Sequence, residues 1–284
     1  MLPAGDEAFV RALLLEHASL SFDDQQTHLL ASRLTSLAKQ KCFTDAAALV
    51  RSLRISPSKV LLDSVVDALT THETSFFRDR LPFMALAEAI IPELVAKRRA
   101  EKRLSVWSAG CSTGQEAYSV ALLLRERFPT LALWQIQILA TDVSATTIQR
   151  ARLGRFSAPE IKRGINDKLR EKYFERCGNE FVLSESIRNS VTWATANLAG
   201  DWQHQGNFDI VLMRNVLIYF APAVRARILQ RTAAHLAADG FLLLGASETT
   251  FGQCEAFKAQ SVCGATTYRK VPPRGFAEAE QRRP

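Results

Sequence analysis

Val106-Trp107-Ser108-Ala109-Gly110-Cys111-Ser112-Thr113-Gly114-Gln115-Glu116 is the stretch from which the fold of this 284-residue chain is read. The apolar run Leu104 to Trp107 reads as a buried strand. Small residues and two glycines make a tight turn, and Ala117 to Phe128 reads as a helix. A strand, a small-residue turn and a helix N-terminus can aim backbone N–H groups at a ligand. The pattern suggests a nucleotide-like cofactor in an α/β domain. The spacing Gly110-x-x-x-Gly114 is not the dinucleotide fingerprint G-x-G-x-x-G.

Around this stretch strands and helices alternate. Strands are expected at Leu104–Ser108, Gln135–Thr141, Phe208–Met213 and Phe241–Leu244. Helices are expected at Phe83–Arg99, Ala117–Phe128, Ala145–Arg152 and Ala223–Ala237. Alternation of this kind implies α/β architecture with a doubly wound, mostly parallel sheet. Gln260 to Arg269 reads as a hairpin that gives the sheet an antiparallel edge. Pro272 to Pro284 is polar, carries three prolines and reads as a disordered tail. A short hairpin is expected between Tyr173 and Val191, pairing Phe181-Val182-Leu183 with Ile187 or beyond.

The first 75 or so residues differ in texture. No glycine follows Gly5 there, and apolar residues recur at helical spacing: Phe9, Ala12, Leu13 and Leu15, then Leu29, Leu30, Leu34 and Leu37. Ser19, Ser21 and Ser58 are candidate caps. Three or four short helices are expected. Between Arg33 and Lys59 the basic residues Arg33, Lys39, Lys41, Arg51, Arg54 and Lys59 face one acid, Asp45. The run is either a solvated helix face or a docking surface for an acidic helix or nucleic acid.

Apolar content of 47% and charged content of 23% are those of an ordinary soluble globular protein. No apolar run approaches the roughly 18 residues that span a bilayer, so membrane insertion is not expected. The start, Met-Leu-Pro-Ala-Gly-Asp-Glu, lacks the basic and apolar regions of a secretory signal. The five cysteines are scattered without C-x-x-C spacing, which argues against a metal site or disulfide framework and for a reducing cytoplasm. The formal net charge of +7 suggests an acidic partner or a solvated surface.

Polar residues at strand tips carry the chemistry. In an open α/β sheet ligands sit beyond the carboxyl ends of the strands. Asp142, closing Gln135–Thr141, can accept hydrogen bonds from both hydroxyls of a ribose. Its other reading is a helix N-cap, a role Ser144 can fill instead. Glu116 complements a helix dipole or meets an ammonium group. A pyrophosphate cofactor would be repelled there, whereas one with a ribose, an amino-acid tail and no phosphate would not. S-adenosylmethionine fits that description. Arg214-Asn215 ends the third strand, followed by Tyr219-Phe220, which read as core or as pocket floor. Val216 after Asn215, in place of the proline of base and glutamine methyltransferases, argues against an amide or exocyclic-amine acceptor. In Thr71-His72-Glu73-Thr74-Ser75-Phe76-Phe77-Arg78-Asp79, Arg78 can grip a carboxylate or pair with Asp79 or Glu73 on the surface.

Taken together, Glu73–Arg78, Gly110–Ser119, Ala140–Ser144, Arg214–Phe220 and Gly245-Ala246-Ser247-Glu248-Thr249 resemble the CheR family of chemotaxis receptor glutamate methyltransferases. The resemblance runs to about Arg269. It implies a class I methyltransferase-like fold, with a helical receptor-recognition domain at 1–78 and a catalytic domain at 79–271. The catalytic domain would carry a small β insertion at about 174–195. It implies S-adenosylmethionine as methyl donor, S-adenosylhomocysteine as product and no metal. His72, Thr74, Arg78, Gly110, Glu116, Asp142, Asn197, Leu198, Arg214 and Asn215 would line the cofactor site. Arg78 and Tyr219 would stand near the reacting groups. His72 takes a place where family members often have Asn. The short turn near Phe181 resembles members that do not dock on a receptor pentapeptide. The implied partner is the cytoplasmic helical domain of chemoreceptors, met by the basic helical face, with no nucleic acid. A glutamate carboxylate, with a reference pKa of about 4.3, is already a nucleophile at neutral pH, so no general base is required.

Overall fold

In the computed structural model, which describes residues 2–20, 27–70, 73–202 and 206–271, the Trp107 run is a central strand covered on both faces. Four helices precede it: α1 (Ala4–Ala18), α2 (Thr27–Gln40), α3 (Ala46–Ile55) and α4 (Lys59–Leu69). Asp45 caps α3 by accepting from the Ala48 amide at 2.7 Å. Ser58 caps α4 by accepting from the Leu61 amide at 3.2 Å. Ser19 does not cap a helix start: it ends α1 in the left-handed region, at φ 55°. Ser21 lies outside the described residues. Leu30, Leu34 and Leu37 are buried, whereas Leu15 and Leu29 point outward.

A helical rod follows, α5 (Leu81–Ala85), one π turn (Leu86–Ile90) and α6 (Ile91–Lys97). The π turn has a local cause: Pro92 has no N–H for the Glu88 carbonyl, and the Ile91 amide reaches back to Leu86 instead. Then come β1 (Arg103–Ala109), α7 (Gln115–Arg127), β2 (Gln135–Asp142) and α8 (Ala145–Leu153). Next are β3 (Arg155–Ser157), α9 (Ala158–Lys162), α10 (Asp167–Tyr173), β4 (Phe174–Cys177), β5 (Glu180–Leu183) and α11 (Glu185–Arg188). The chain closes with β6 (Val191–Thr195), β7 (Phe208–Met213), α12 (Pro222–His235), β8 (Leu236–Leu244), β9 (Phe257–Val262) and β10 (Ala265–Lys270).

The large sheet has the order β6-β2-β1-β7-β8-β10-β9. The first five strands are mutually parallel; β10 runs antiparallel to β8, and β9 antiparallel to β10. Strand alternation sends Leu104 and Val106 to one face with α6 and α7, and Trp107 and Ala109 to the other with α12 and the N-terminal helices. From β1 the chain runs to β2 on one side and later returns to β7 on the other. The crevice at the carboxyl ends of β1 and β7 is therefore a topological switch point.

Three expectations need correction. Phe181-Val182-Leu183 pairs with β4 before it and with β3, in the order β3-β5-β4. Ile187 is in α11 instead. The two-residue Gly178-Asn179 turn, with Gly178 at φ 62°, is what folds β4 back on β5. Val191–Thr195, counted with the insertion, is the edge strand of the large sheet. Strand β8 begins at Leu236, five residues early, because a register shift against β7 between Phe208 and Ile210 hides its start. The expected tail at 272–284 lies outside the described residues. Among the described residues no helix is long and apolar enough to cross a membrane.

Candidate active site

The switch point opens into a cleft of about 840 Å³, solvent at its mouth included. Thr74, Arg78, Gly110, Glu116, Asp142, Asn197, Leu198, Arg214, Asn215 and Tyr219 all line it. His72 lies outside the described residues. Ala18, Leu20 and Thr70 from the N-terminal helical region also line the cleft, which the sequence did not signal. That region is joined to the sheet by a Leu20–Phe220 β-bridge and by the Asn197 amide donating to the His17 carbonyl at 3.2 Å. Asp67 on α4 accepts from the Ser144 hydroxyl.

The turn after β1 is wired differently from a phosphate cradle. The Gly110 and Cys111 amides donate to the Thr141 carbonyl at 2.8 and 2.9 Å. The Ser112 amide donates to Asp142 Oδ2 at 2.8 Å, and the Gly114 amide to the Cys111 carbonyl at 3.1 Å. These N–H groups, expected to face a ligand, are spent inside the protein. What flanks the turn at the cleft is two buried carboxylates, Glu116 at the start of α7 and Asp142 at the tip of β2. Gly110 sits at φ 76°, and a Cβ there would come 2.8 Å from Val216 Cγ2. Only glycine lets β1 and the loop after β7 approach so closely.

Asp142 is not the helix cap. Ser144 holds that place, accepting from the Thr147 amide at 2.9 Å, while Asp142 accepts from the Ser112 and Ser144 amides. Glu116 accepts from the Ser108 hydroxyl at 2.8 Å and from Arg214 at 3.1 Å. Arg214 is nearly fully buried and also donates to the Asp79 carboxylate at 2.6 Å and the Arg78 carbonyl at 2.9 Å. Cys111 beneath the turn is a spectator: burial, aided by the charges of Asp142 and Glu116, pushes its thiol well above the usual range.

Arg78 makes neither of the surface ion pairs considered for it. Its guanidinium donates to the Glu73 carbonyl at 2.8 Å, and Asp79 is engaged by Arg214 instead. Phe77, Asp79 and Arg80 all have positive φ, at 50°, 66° and 49°. This strained turn is pinned by the Phe77 amide on Ser119 Oγ at 2.9 Å and by the Arg214 bonds. Phe76, just before it, is stacked edge-on between Phe156 and Phe174 of the small sheet. Tyr219 is half-buried at the cleft.

The basic face is narrower than the sequence suggested. Arg33 is used to bind the Leu69 and Thr70 carbonyls at the end of α4, at 2.8 and 2.9 Å. Arg54 bonds the Gly5 carbonyl and Asp6 and lies over the Phe9 ring. Lys39, Lys41, Arg51 and Lys59 are exposed.

Buried polar atoms show whether the cleft suits a cofactor. Arg214 Nε and Asn215 Oδ1 are shielded from solvent and have no hydrogen-bond partner among the described residues. Buried donors and acceptors are ordinarily completed by protein, water or ligand. Arg188 Nε and Gln253 Oε1 are also unpartnered away from the cleft, whereas these two stand on residues that line it. Two carboxylates, one unused amide oxygen and one unused N–H suit a ligand bearing hydroxyls and an amino-acid group.

Residues 72–265 match the family model described as "CheR methyltransferase, SAM binding domain". The "Chemotaxis protein methyltransferase Cher2" of Pseudomonas putida is 36% identical over 247 residues, covering 85% of this chain and 89% of the relative. The "Chemotaxis protein methyltransferase" of Vibrio parahaemolyticus is 36% identical over 239 residues, covering 83% and 86%. "Chemotaxis protein methyltransferase 1" of Pseudomonas aeruginosa is 35% identical over 248 residues, covering 86% and 89%.

Proposed function

Because the chain belongs to the CheR methyltransferase family, we propose that it methylates glutamate side-chain carboxylates of chemoreceptors, using S-adenosylmethionine and leaving S-adenosylhomocysteine. The observation that carries this reading is the wiring of the turn after β1. The Gly110, Cys111, Ser112 and Gly114 amides are consumed internally, and Glu116 and Asp142 beside the turn line the cleft, a setting hostile to phosphate and suited to a ribose and an ammonium.

When bound, S-adenosylmethionine supplies an electrophilic methyl group. In this reading Asp142 accepts from the ribose hydroxyls and Glu116 faces the ammonium. Thr74, Gly110, Asn197, Leu198, Arg214 and Asn215 complete the wall, with His72 assigned by motif position alone. Arg78 orients a carboxylate. Tyr219 shapes the floor beside the reacting groups. The chain's task is to hold the acceptor oxygen in line and keep water out. An already ionised acceptor needs no base.

Residues 1–78 act in this reading as the receptor-recognition region and 79–271 as the transferase, both working in the cytoplasm. Lys39, Lys41, Arg51 and Lys59 face the acidic receptor helix. The two-residue Gly178-Asn179 turn of the small sheet supports pentapeptide-independent docking. Receptor-containing membranes incubated with labelled S-adenosylmethionine test this. Charge reversal at Lys39, Lys41 and Arg51 should slow labelling at low salt and spare S-adenosylhomocysteine binding. Unchanged labelling removes the basic face from recognition.

A further inference from the structure

The Gly245–Thr249 motif has no part in the chemistry above, yet its carboxylate occupies a distinctive place. Glu248 is 9% exposed and forms no ion pair among the described residues. Its Oε2 accepts from the Asn215 and Gly245 amides, both at 2.7 Å. Its Oε1 accepts from the Val216 and Leu217 amides at 2.9 and 2.7 Å. A carboxylate offers about four acceptor positions, so the set is saturated. Converging backbone amides of this kind form an anion-selective nest. Here the protein fills the nest with its own side chain.

Three of the four amides belong to the loop that carries Arg214, Asn215 and Tyr219. They converge because Asn215 adopts φ 59°, a conformation disfavoured for a residue with a side chain. The four bonds hold it there. Gly245 permits the approach: a Cβ would stand 2.7 Å from Glu248 Oε2 and 2.8 Å from Asn215 Nδ2. The Tyr268 hydroxyl donates to the Glu248 carbonyl at 3.3 Å, tying the assembly to β10.

We propose that Glu248 is a positioning residue for methyl transfer, the internal anion whose four amide bonds fix the Arg214–Tyr219 loop in its cofactor-binding form. Glu248 acts through Asn215 and does not line the cleft. The inference rests on the reading that Asn215 meets the cofactor. It also implies that the emptied nest accepts a small free carboxylate. A groove lined by Asp79, Gly245, Glu248 and Thr266 gives a path from solvent.

Calorimetric binding of S-adenosylhomocysteine to Glu248→Ala, with sodium acetate against sodium chloride at equal ionic strength, tests this. The expected result is a loss of about tenfold or more in chloride and severalfold recovery in acetate. A protein that merely lost packing would not respond to acetate. The double variant with Asn215→Ala should bind no more weakly than the worse single variant, because both act on one contact. Native-like affinity in chloride, a folded variant deaf to acetate, or fully additive losses would each overturn the proposal. Should Glu248→Ala fail to fold, Glu248→Gln, which loses one acceptor pair and the charge, must show the chloride loss and the same non-additivity; unchanged affinity there also overturns it. If Asn215→Ala alone leaves affinity unchanged, the cofactor reading of Asn215 is what fails.

Discussion

Arg214 at the tip of β7 donates to Glu116 at the start of α7 across 3.1 Å, closing the switch point with a buried ion pair. Glu116→Gln keeps the shape and removes the countercharge. Affinity for S-adenosylhomocysteine should fall by about ten- to a hundredfold, the range of a charge-assisted hydrogen bond of about 1.5–3 kcal/mol. Titration calorimetry reads this directly, and native-like affinity would remove Glu116 from cofactor binding.

Arg78 spends its guanidinium on one backbone carbonyl, so its removal costs the fold little. Arg78→Ala should lower kcat by about a hundredfold while the melting temperature stays near that of the native protein. Arg78→Lys should recover only part, because an ammonium lacks the planar fork. Steady-state kinetics with receptor membranes decide it; near-normal turnover of Arg78→Ala contradicts the role.

Gly110→Ala sets a methyl group against Val216 at a positive φ. The expected cost is about 1–3 kcal/mol in urea unfolding. Val216→Ala in the same chain should return part of it. An undestabilised single variant would show that the turn and the β7 loop can part freely.

Far from the cleft, Asp239 is held down to about 2 by the hydrogen bond from Arg98, against the opposing effect of burial. Its pairing therefore stabilises the fold fully above the ordinary carboxylate value. The contribution disappears as pH falls through roughly 4 toward 2. The melting-temperature gap between the native protein and Asp239→Asn should be open at pH 7 and close on acidification. A gap independent of pH would contradict the pairing.

Much of this molecule is legible in its sequence where a signal is local. The strands around Trp107, Ile138 and Val211 are rich in apolar residues because helices cover both faces of the sheet there. Their carboxyl tips mark Asp142 and Arg214-Asn215 as cleft residues by the geometry of parallel sheets alone. Signals that depend on distant partners are not legible. Val191–Thr195 is short and separated from the small sheet only by the one-turn α11, so it merges with the insertion. The early start of β8 is concealed by its register shift. Asp79 reads as a partner for Arg78, and Glu248 as part of a motif with no stated role, until Arg214 and the Asn215 loop are folded against them. The turn amides look available in sequence because nothing local shows that Thr141 and Asp142 take them.

The central claim is that a carboxylate receives the methyl group. Receptor-containing membranes labelled from methyl-labelled S-adenosylmethionine by this protein, then treated with mild base, test it most directly. The account predicts label on receptor glutamates that is released as methanol by base and accumulates about a hundredfold more slowly with Arg78→Ala. Label that survives base, or that resides on RNA, would contradict it.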